Sequence, residues 1–416
     1  MKNKLMKASL LLFLMSLIAS KSLSQNQSVR IKAEHPRLVL SNTDIELMRG
    51  NALSGIEPWK TAWERLKNEI DGYADGKWKV NVYRGDASMS FYKAAIRDGS
   101  AARDLAIGYQ ITKDKRYARK AIEIINEWSS PKDAPGTYFD PDKFYPNTGM
   151  LVSRGVFAFL YAYDLLCADN LIEKSKRKQF EGWLRILLPH IEEGMKRWVE
   201  NDYFGKQYFQ NHIVAEVVGL MSIGIILRDH KLVNYVYDGE TNPHSVKKVI
   251  EGIILMKGQP PYSGEPGSWP AQDGEIMDRY RHFALTHYGQ TTKPNRALQY
   301  AGLSTNLLMI TAEMGRLNGL DIHQYVAPTG ESIKLPLLFY ADFYITKDAS
   351  IKGGFYAGED SWINYNDQSV FTLWEVAHAR YPEEKTFNDV LRANDRTAHN
   401  LHLLGPVVLT HGRCIE

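Results

Sequence analysis

The chain has 416 residues, of which 44% are hydrophobic, 24% are charged and 11% are aromatic. This composition excludes a disordered chain, and the length supplies a core for one large domain or for two to three average ones. Because 51 Lys and Arg residues stand against 48 Asp and Glu residues, the formal charge is only +3, and bulk charge does not indicate a nucleic-acid-binding protein.

The first predicted element is a secretory signal peptide over residues 1–24. Three lysines precede an apolar stretch at residues 8–19, which is too short to span a bilayer and ends in small and polar residues. Its removal takes away four lysines and no acidic residue, so the formal charge changes from +3 to −1. We therefore expect a periplasmic or secreted protein without a later membrane span, in which residues 25–416 form a single domain.

The rest of the chain is predicted to be helical almost throughout. Apolar residues at helical spacing follow Asp114, a good helix-capping residue, and end at Pro131. Further pairs of helical segments cover 152–166 with 173–195, 215–228 with 246–256, and 297–314 with 368–379. Runs of strand-forming residues are scarce, and Val407–Thr410 comes nearest to one. The pattern predicts an all-α protein of six or seven antiparallel helical hairpins wound into a ring.

The first candidate site lies at the start of a predicted helix. Gln210, Asn211 and His212 follow an aromatic-rich loop that contains Tyr208, and an apolar helical stretch comes directly after them. An amide and an imidazole in this position can contact a polar ligand. A structural role is the alternative interpretation, in which Asn211 caps the helix and His212 satisfies a backbone carbonyl.

The second candidate site is a segment rich in Arg, His and Tyr. Arg281 and Tyr288 are seven residues apart, so on a helix they project from the same face. Arg279, Tyr280 and His287 belong to the same segment. A solvated polar helix face with buried aromatic stems beneath it is the alternative interpretation.

The third candidate site is a loop over residues 260–270 that is rich in Gly, Trp and Pro and contains Trp269. Long loops with aromatic side chains are suitable places for sugar rings to stack. A surface loop without a function is the alternative.

Several other kinds of site are missing from the sequence. It contains no P-loop, HExxH, CxxC or GxSxG pattern, and its one tight histidine pair, His399 and His402, has no obvious third ligand. Cys167 and Cys414 fit neither a metal-ligand spacing nor a disulfide framework, so we interpret them as two isolated thiols. We therefore expect neither a metal nor a cofactor.

Three segments, in the right order along the chain, carry a resemblance to a known family. Residues 35–41 (His-Pro-Arg-Leu-Val-Leu-Ser) resemble the opening of bacterial alginate lyases and heparinase-II-like polysaccharide lyases. Asn211 and His212 match the catalytic Asn-His pair of those families. Arg281 and Tyr288 match their Asp-Gly … Arg … Ala-Leu-His-Tyr pattern, including its seven-residue step.

Two further features bear on this resemblance. The segment around Arg154, with Asn-Thr-Gly before it and Tyr-Ala-Tyr-Asp after it, is similar to a substrate-lining segment of the same families. Thr286 interrupts the Ala-Leu-His-Tyr pattern, so Arg279 and Tyr280 stay open as the alternative matching pair.

The resemblance implies an incomplete α/α toroid that cleaves a 4-linked uronate polymer, above all alginate, by β-elimination. Too few residues follow Asn318 for the large C-terminal β domain of some relatives, which implies a toroid-only lyase. Asn211 and Arg281 would neutralise the uronate carboxylate, His212 would act as a base, and Tyr288 would protonate the leaving oxygen. The residues expected to bind substrate are Arg154, Tyr208, Gln210, Trp269, Arg279, Tyr280 and His287. The expected partner is an anionic polysaccharide, and the oligomeric state stays open.

Two other classes of function stay open at this point. A glycoside hydrolase on an α/α fold would need two carboxylic acids that face each other across the scissile bond, and Glu265, Asp273, Glu275 and Asp278 are available. A non-catalytic glycan-binding protein would use the Tyr- and Trp-containing loops as stacking platforms.

Overall fold

Fourteen α-helices and one two-stranded sheet make up the part of the chain that the structure describes. The computed structural model describes residues 29–130, 147–200, 209–259, 270–279, 295–357, 373–397 and 403–415, without the side chains of residues 199 and 200. The helices are α1 (Asn42–Leu53), α2 (Trp59–Gly72), α3 (Met89–Thr112), α4 (Lys115–Trp128), α5 (Thr148–Ala168), α6 (Lys174–Glu200), α7 (Asn211–Leu227), α8 (His230–Asp238), α9 (Val246–Ile253), α10 (Ala297–Leu317), α11 (Lys334–Thr346), α12 (Leu373–Arg380), α13 (Lys385–Ala393) and α14 (Val407–His411). The strands β1 (Ile254–Leu255) and β2 (Glu275–Ile276) pair antiparallel, and short π and 3₁₀ turns cover Tyr73–Lys77 and Lys352–Gly354.

Local sequence explains where several of these helices begin and end. The Asp114 side chain accepts a hydrogen bond from the Arg116 backbone at 2.8 Å, which confirms the predicted cap of α4. Ser41 and Asp44 form a reciprocal capping box at the start of α1. Arg228 ends α7 in the left-handed conformation, with a φ of 55°.

Four helices, α3, α5, α7 and α10, form an inner layer. Nearly every residue of α5, α7 and α10 is buried, as expected for helices that are covered on all sides. A Cβ on Gly99 of α3 would lie 3.0 Å from the ring of Phe159, and one on Gly155 of α5 would lie 3.3 Å from Ala95. Because the residue numbers rise together along both helices, α3 and α5 run parallel.

The outer helices run back along this inner layer. The rings of Tyr163 in α5 and Phe180 in α6 stack at 4.5 Å, whereas Gly149 near the start of α5 meets Gly194 near the end of α6. These contacts make α5 and α6 an antiparallel hairpin. Parallel inner helices joined to antiparallel outer helices form an α/α toroid, which confirms the predicted all-α fold class. The predicted number of six or seven hairpins stays a prediction, because parts of the chain lie outside the described residues.

The N-terminal segment, residues 30–38, closes one end of the inner layer. The carboxylate of Asp164, near the end of α5, accepts hydrogen bonds from the backbone amides of Arg37 and Leu38. The Arg37 guanidinium donates to the carbonyl of Ile226 in α7 at 3.0 Å, and the Arg37 carbonyl accepts from Asn318 at the end of α10. The C-terminal ends of three inner helices therefore meet at this segment.

A buried ion network ties the last helices to the inner layer. Glu313 of α10 accepts hydrogen bonds from Arg380 at 2.6 and 2.8 Å and from His323 at 2.8 Å. Burial alone would raise the pKa of Glu313, but hydrogen bonds from His323, His411 and Arg380 hold that pKa well below its usual range. His411 belongs to α14, so this network anchors the C-terminal helix.

Two segments differ from what their sequences indicate. Val407–Thr410, which comes nearest to a strand-forming run, lies in helix α14, where packing against α1, α2 and α12 overrides its β propensity. The helix predicted over residues 246–256 ends at Ile253, because the next two residues pair with Glu275–Ile276 as β1 and β2. The other predicted helical segments in the described part of the chain are helical to within a few residues, whereas the sequence pattern did not indicate α2, α8, α11 and α13.

One inner helix has the length and apolar character of a membrane span. Helix α5 is 21 residues long and apolar enough to cross a membrane, but 94% of its most apolar stretch is buried inside the protein. The expectation that no segment after the signal peptide would be long and apolar enough is therefore wrong for α5. Its apolar surface packs against α3, α6 and α7.

Candidate active site

The N-terminal ends of the inner helices meet at the end of the toroid opposite the N-terminal segment. The Arg154 guanidinium of α5 lies 5.2 Å from the centre of the Tyr92 ring of α3. Burial raises the pKa of Tyr92, the Arg154 charge opposes this shift, and Tyr300 of α10 adds to it. Side chains from three inner helices are thus close together. Helix N-termini carry partial positive charge, which suits this end of the toroid to an anionic ligand.

Asn211 is the first residue of α7 and is held by a carboxylate from a distant part of the chain. The Asp278 side chain accepts the Asn211 backbone N–H at 3.0 Å and the Asn211 Nδ2–H at 2.8 Å. It also accepts the Ser304 hydroxyl of α10 at 2.5 Å. Asp278, rather than Asn211, therefore caps α7. Gln210 precedes this contact in extended conformation, with its side chain buried.

His212 is buried against the ring of Trp198, which lies outside the sequence motif around His212. The imidazole stacks on Trp198 of α6 with ring centres 4.4 Å apart and an angle of 21° between the planes. Only 6% of His212 is exposed. The stack fixes the plane of the imidazole at the start of α7. No spacing pattern links Trp198 to His212 in the sequence, so this contact follows only from the folded structure.

Glu216 lies one turn below His212, in the contact between α5, α6 and α7. A Cβ on Gly149 would collide with its Oε1 atom, and a Cβ on Gly194 would lie 3.0 Å from the same atom. Neither carboxyl oxygen has a hydrogen-bond partner among the described residues. Burial raises the pKa of Glu216 well above its ordinary value of 4.5. Burial therefore favours the protonated, neutral form of this side chain in the folded protein.

Replacing Glu216 with glutamine is expected to remove a pH dependence of stability. Above its ordinary pKa of 4.5, the unfolded chain releases the Glu216 proton while the folded chain keeps it. The wild-type protein thus loses up to about 1.4 kcal/mol per pH unit as the pH rises towards the folded-state pKa. Glutamine cannot ionise, so urea unfolding should show a stability advantage of the variant that grows with pH. The exposed Glu173→Gln variant is the control, and parallel pH profiles for Glu216→Gln and wild type would contradict the prediction.

Arg279 lies in a buried ion pair. Its guanidinium binds the Glu275 carboxylate and lies 4.6 Å from the centre of the Phe355 ring. Glu275 also accepts the Tyr356 hydroxyl at 3.0 Å, and the Tyr356 and Tyr340 hydroxyls are 2.9 Å apart. Glu275 lies in β2 and a turn separates it from Arg279, so the helical rule for residues four apart does not account for this pair. Contact of Arg279 with substrate stays a prediction.

The described residues bring part of the predicted site together. Gln210, Asn211 and His212 lie at the start of α7, and the half-buried Arg154 lies near the start of α5, at the same end of the toroid. Six other predicted site residues lie outside the described residues: Tyr208, Trp269, Tyr280, Arg281, His287 and Tyr288.

The acids considered for a hydrolase are mostly engaged in structural contacts. Glu275 binds Arg279 and Tyr356, and Asp278 binds Asn211. The exposed Asp273 accepts a backbone hydrogen bond from a neighbouring loop residue at 2.7 Å. Glu265 lies outside the described residues. The three described acids therefore offer no pair facing each other across an open site, as hydrolysis requires.

The described residues show neither a disulfide nor a candidate metal site. Cys167 is buried, Cys414 is exposed, and both are free, as predicted. The described ranges contain no group of three or more His, Cys, Asp or Glu residues placed to hold a metal ion.

Comparisons with known proteins agree on one family. Residues 55–243 match the family model described as alginate lyase, whereas no curated protein matches the chain significantly. A histidine-to-alanine variant of alginate lyase A1-III, solved with a tetrasaccharide, is similar with a TM-score of 0.62 and 14% identity, covering 93% of this chain and 98% of that chain.

Two further solved structures are similar. Alginate lyase A1-III from Sphingomonas species A1 has a TM-score of 0.60 and 15% identity, and the match covers 92% of this chain and 100% of that chain. An alginate lyase from Bacteroides ovatus has a TM-score of 0.60 and 13% identity, covering 86% and 96%. These structures share the fold over almost the whole chain, and the family model adds the common sequence pattern. The match over residues 55–243 and the shared fold together make this chain similar to the alginate lyases, a family of polysaccharide lyases.

Proposed function

We propose that the protein cleaves 4-linked polyuronates, with alginate as the preferred candidate, by β-elimination. The observation that carries this proposal is the Asn211-His212 pair at the start of α7, held by Asp278 and Trp198. Two solved variants of alginate lyase A1-III, an enzyme with a similar fold, were crystallised with a tetrasaccharide, which supports an oligosaccharide substrate.

The first task in this reaction is to neutralise the uronate carboxylate. The neighbouring C5 proton is weakly acidic while the carboxylate keeps its full negative charge, so hydrogen-bond donors and positive charge must act on that group. In the proposal, Asn211 supplies an amide donor beside the positive end of α7, and Arg281 supplies a charged fork that matches a carboxylate. The role of Arg281 rests on the sequence pattern alone.

The second task is proton transfer. His212 is proposed as the base that removes the C5 proton in one class of uronate epimer. Tyr288 is proposed to protonate O4 as it leaves and, as a phenolate, to act as the base when proton and leaving group lie on the same face. The step balances because the electrons of the C5–H bond form the C4=C5 double bond while the C4–O4 bond breaks. The C5 proton goes to the base, and O4 takes a proton from Tyr288.

We also propose that the enzyme acts after export to the periplasm or the medium. The support is the predicted signal peptide over residues 1–24, which would deliver the enzyme to polymers too large to enter the cell. N-terminal sequencing of the mature protein from the native host tests this, and an intact residue 1 on the exported protein would contradict cleavage.

An assay of reaction products tests the proposed activity. The purified enzyme is incubated with alginate, polymannuronate, polyguluronate and polyglucuronate while ultraviolet absorbance and reducing ends are both measured. Elimination creates a conjugated double bond at each new end, so absorbance and reducing ends should rise together. Reducing ends without absorbance would indicate a hydrolase, and binding without either product would indicate a glycan-binding protein.

A further inference from the structure

The Asp278 carboxylate joins three parts of the site. It accepts two hydrogen bonds from Asn211 on α7 and one from Ser304 on α10, and it belongs to the segment that follows β2. Asp278 is only 2% exposed, and Asn211 is equally buried. A buried carboxylate in this position is stabilised by its donors and by the positive end of α7.

The contact determines how the Asn211 amide is oriented. An ionised carboxylate can only accept hydrogen bonds, so the group that faces Asp278 Oδ1 at 2.8 Å must be the amide nitrogen. One N–H of Asn211 is then used by Asp278, and the second N–H remains to be donated elsewhere. Without Asp278, the amide could rotate by half a turn and present its oxygen, which would repel a substrate carboxylate.

We propose that Asp278 is a positioning residue that acts through Asn211, fixing its amide so that an N–H points at the uronate carboxylate. This inference rests on the proposed role of Asn211 in neutralising that group. Capping of α7 requires only the hydrogen bond from the Asn211 backbone N–H. Asp278 accepts a second hydrogen bond from the Asn211 side chain, which capping does not require. The Ser304 hydroxyl holds the second carboxylate oxygen, so the orientation of Asp278 is itself fixed.

A double-mutant cycle tests the proposal. Asp278→Ala should lower kcat/KM on the best polyuronate by about 10- to 100-fold, because a displaced donor is lost at the reacting group. Asn211→Ala should lower it by about 10²- to 10³-fold, as for other lost electrostatic stabilisers. If Asp278 acts through Asn211, adding Asp278→Ala to Asn211→Ala should cost less than about threefold more.

Two further variants keep the test informative if Asp278→Ala folds poorly. Asp278→Asn keeps Oδ1, which lies 2.8 Å from the Asn211 side-chain nitrogen and 3.3 Å from its backbone nitrogen. Its NH₂ replaces the oxygen that accepts the Asn211 backbone N–H and can donate to the Ser304 hydroxyl. The Asn211 side chain is then still oriented, so activity should stay within about fivefold of wild type. Ser304→Ala removes one donor to Asp278 but leaves both contacts between Asp278 and Asn211 in place, so its loss of kcat/KM should be smaller than that of Asp278→Ala. Thermal unfolding of every variant separates lost fold from lost orientation.

The outcomes separate this inference from the proposed function. Equal losses from Asp278→Ala in the wild-type and Asn211→Ala backgrounds would overturn the inference, because Asp278 would then act independently. Full activity of Asn211→Ala would overturn it too, by removing the residue through which Asp278 acts. If the wild-type enzyme forms no unsaturated ends on any polyuronate, the proposed function fails before the cycle begins.

Discussion

Replacing Tyr288 with phenylalanine is expected to abolish the formation of unsaturated ends while leaving binding of a uronate oligomer measurable. Phenylalanine keeps the ring and removes only the phenol, which is the proposed proton donor to O4. A single general acid contributes about 10²- to 10⁴-fold, and a phenol that also serves as the base contributes twice in the cycle. Turnover is followed by ultraviolet absorbance, and binding is followed by calorimetry with a short oligomer.

Tyr280→Phe is the matched control for this experiment. Tyr280 lies in the same sequence segment, and the interrupted Ala-Leu-His-Tyr pattern leaves it as the alternative proton donor. Near-normal turnover in Tyr288→Phe together with lost turnover in Tyr280→Phe would transfer the role to Tyr280. If both variants kept near-normal turnover, neither phenol would be the proton donor.

Replacing His212 with alanine is expected to damage cleavage of guluronate-type polymers much more than cleavage of mannuronate-type polymers. When the C5 proton and O4 lie on opposite faces of the sugar, one tyrosine cannot reach both, and a second group must remove the proton. His212 is the best-placed candidate because it adjoins Asn211 and is held against Trp198. The expected loss on guluronate-type substrate is about 10²- to 10⁴-fold, the usual range for a general base.

Trp198→Phe is the control for the His212 prediction. Phenylalanine has a smaller ring to stack on the imidazole, but His212 is still present as the base. The activity should therefore fall on both polymers, while the ratio of guluronate-type to mannuronate-type cleavage should stay the same. Equal losses on both substrates in His212→Ala would mean that the imidazole holds the carboxylate instead. Unchanged activity on both would return His212 to a structural role.

Helices can be predicted from this sequence because their signals are local. Asp114 caps α4 through a hydrogen bond to a residue two positions away, and the start of α7 follows from an apolar run that begins next to His212. The same reasoning fails at Val407–Thr410, because the conformation of so short a segment is decided by the helices that surround it. Periodicity therefore predicts the helices but not how short segments pack.

Contacts between distant parts of the chain could not be predicted. Asp278 counts as one of four available acids in the sequence, but in the structure it caps a helix that begins 67 positions earlier. Arg279 has the chemistry to bind a polyanion, yet its charge is used by Glu275 inside the protein. Residue type thus predicts what a side chain can do, whereas only the packing of α7, α10 and β2 decides which partner it meets.

During synthesis, Arg37 leaves the ribosome long before its partners exist. The chain must grow by 127 residues to reach Asp164, by 189 to reach Ile226 and by 281 to reach Asn318. Closing such long loops is slow, and the contact with Asn318 cannot form until most of the chain has been made, so this end of the inner layer is completed late. A nascent chain that cannot complete its fold early remains suitable for threading through a translocation channel, in keeping with the proposed export.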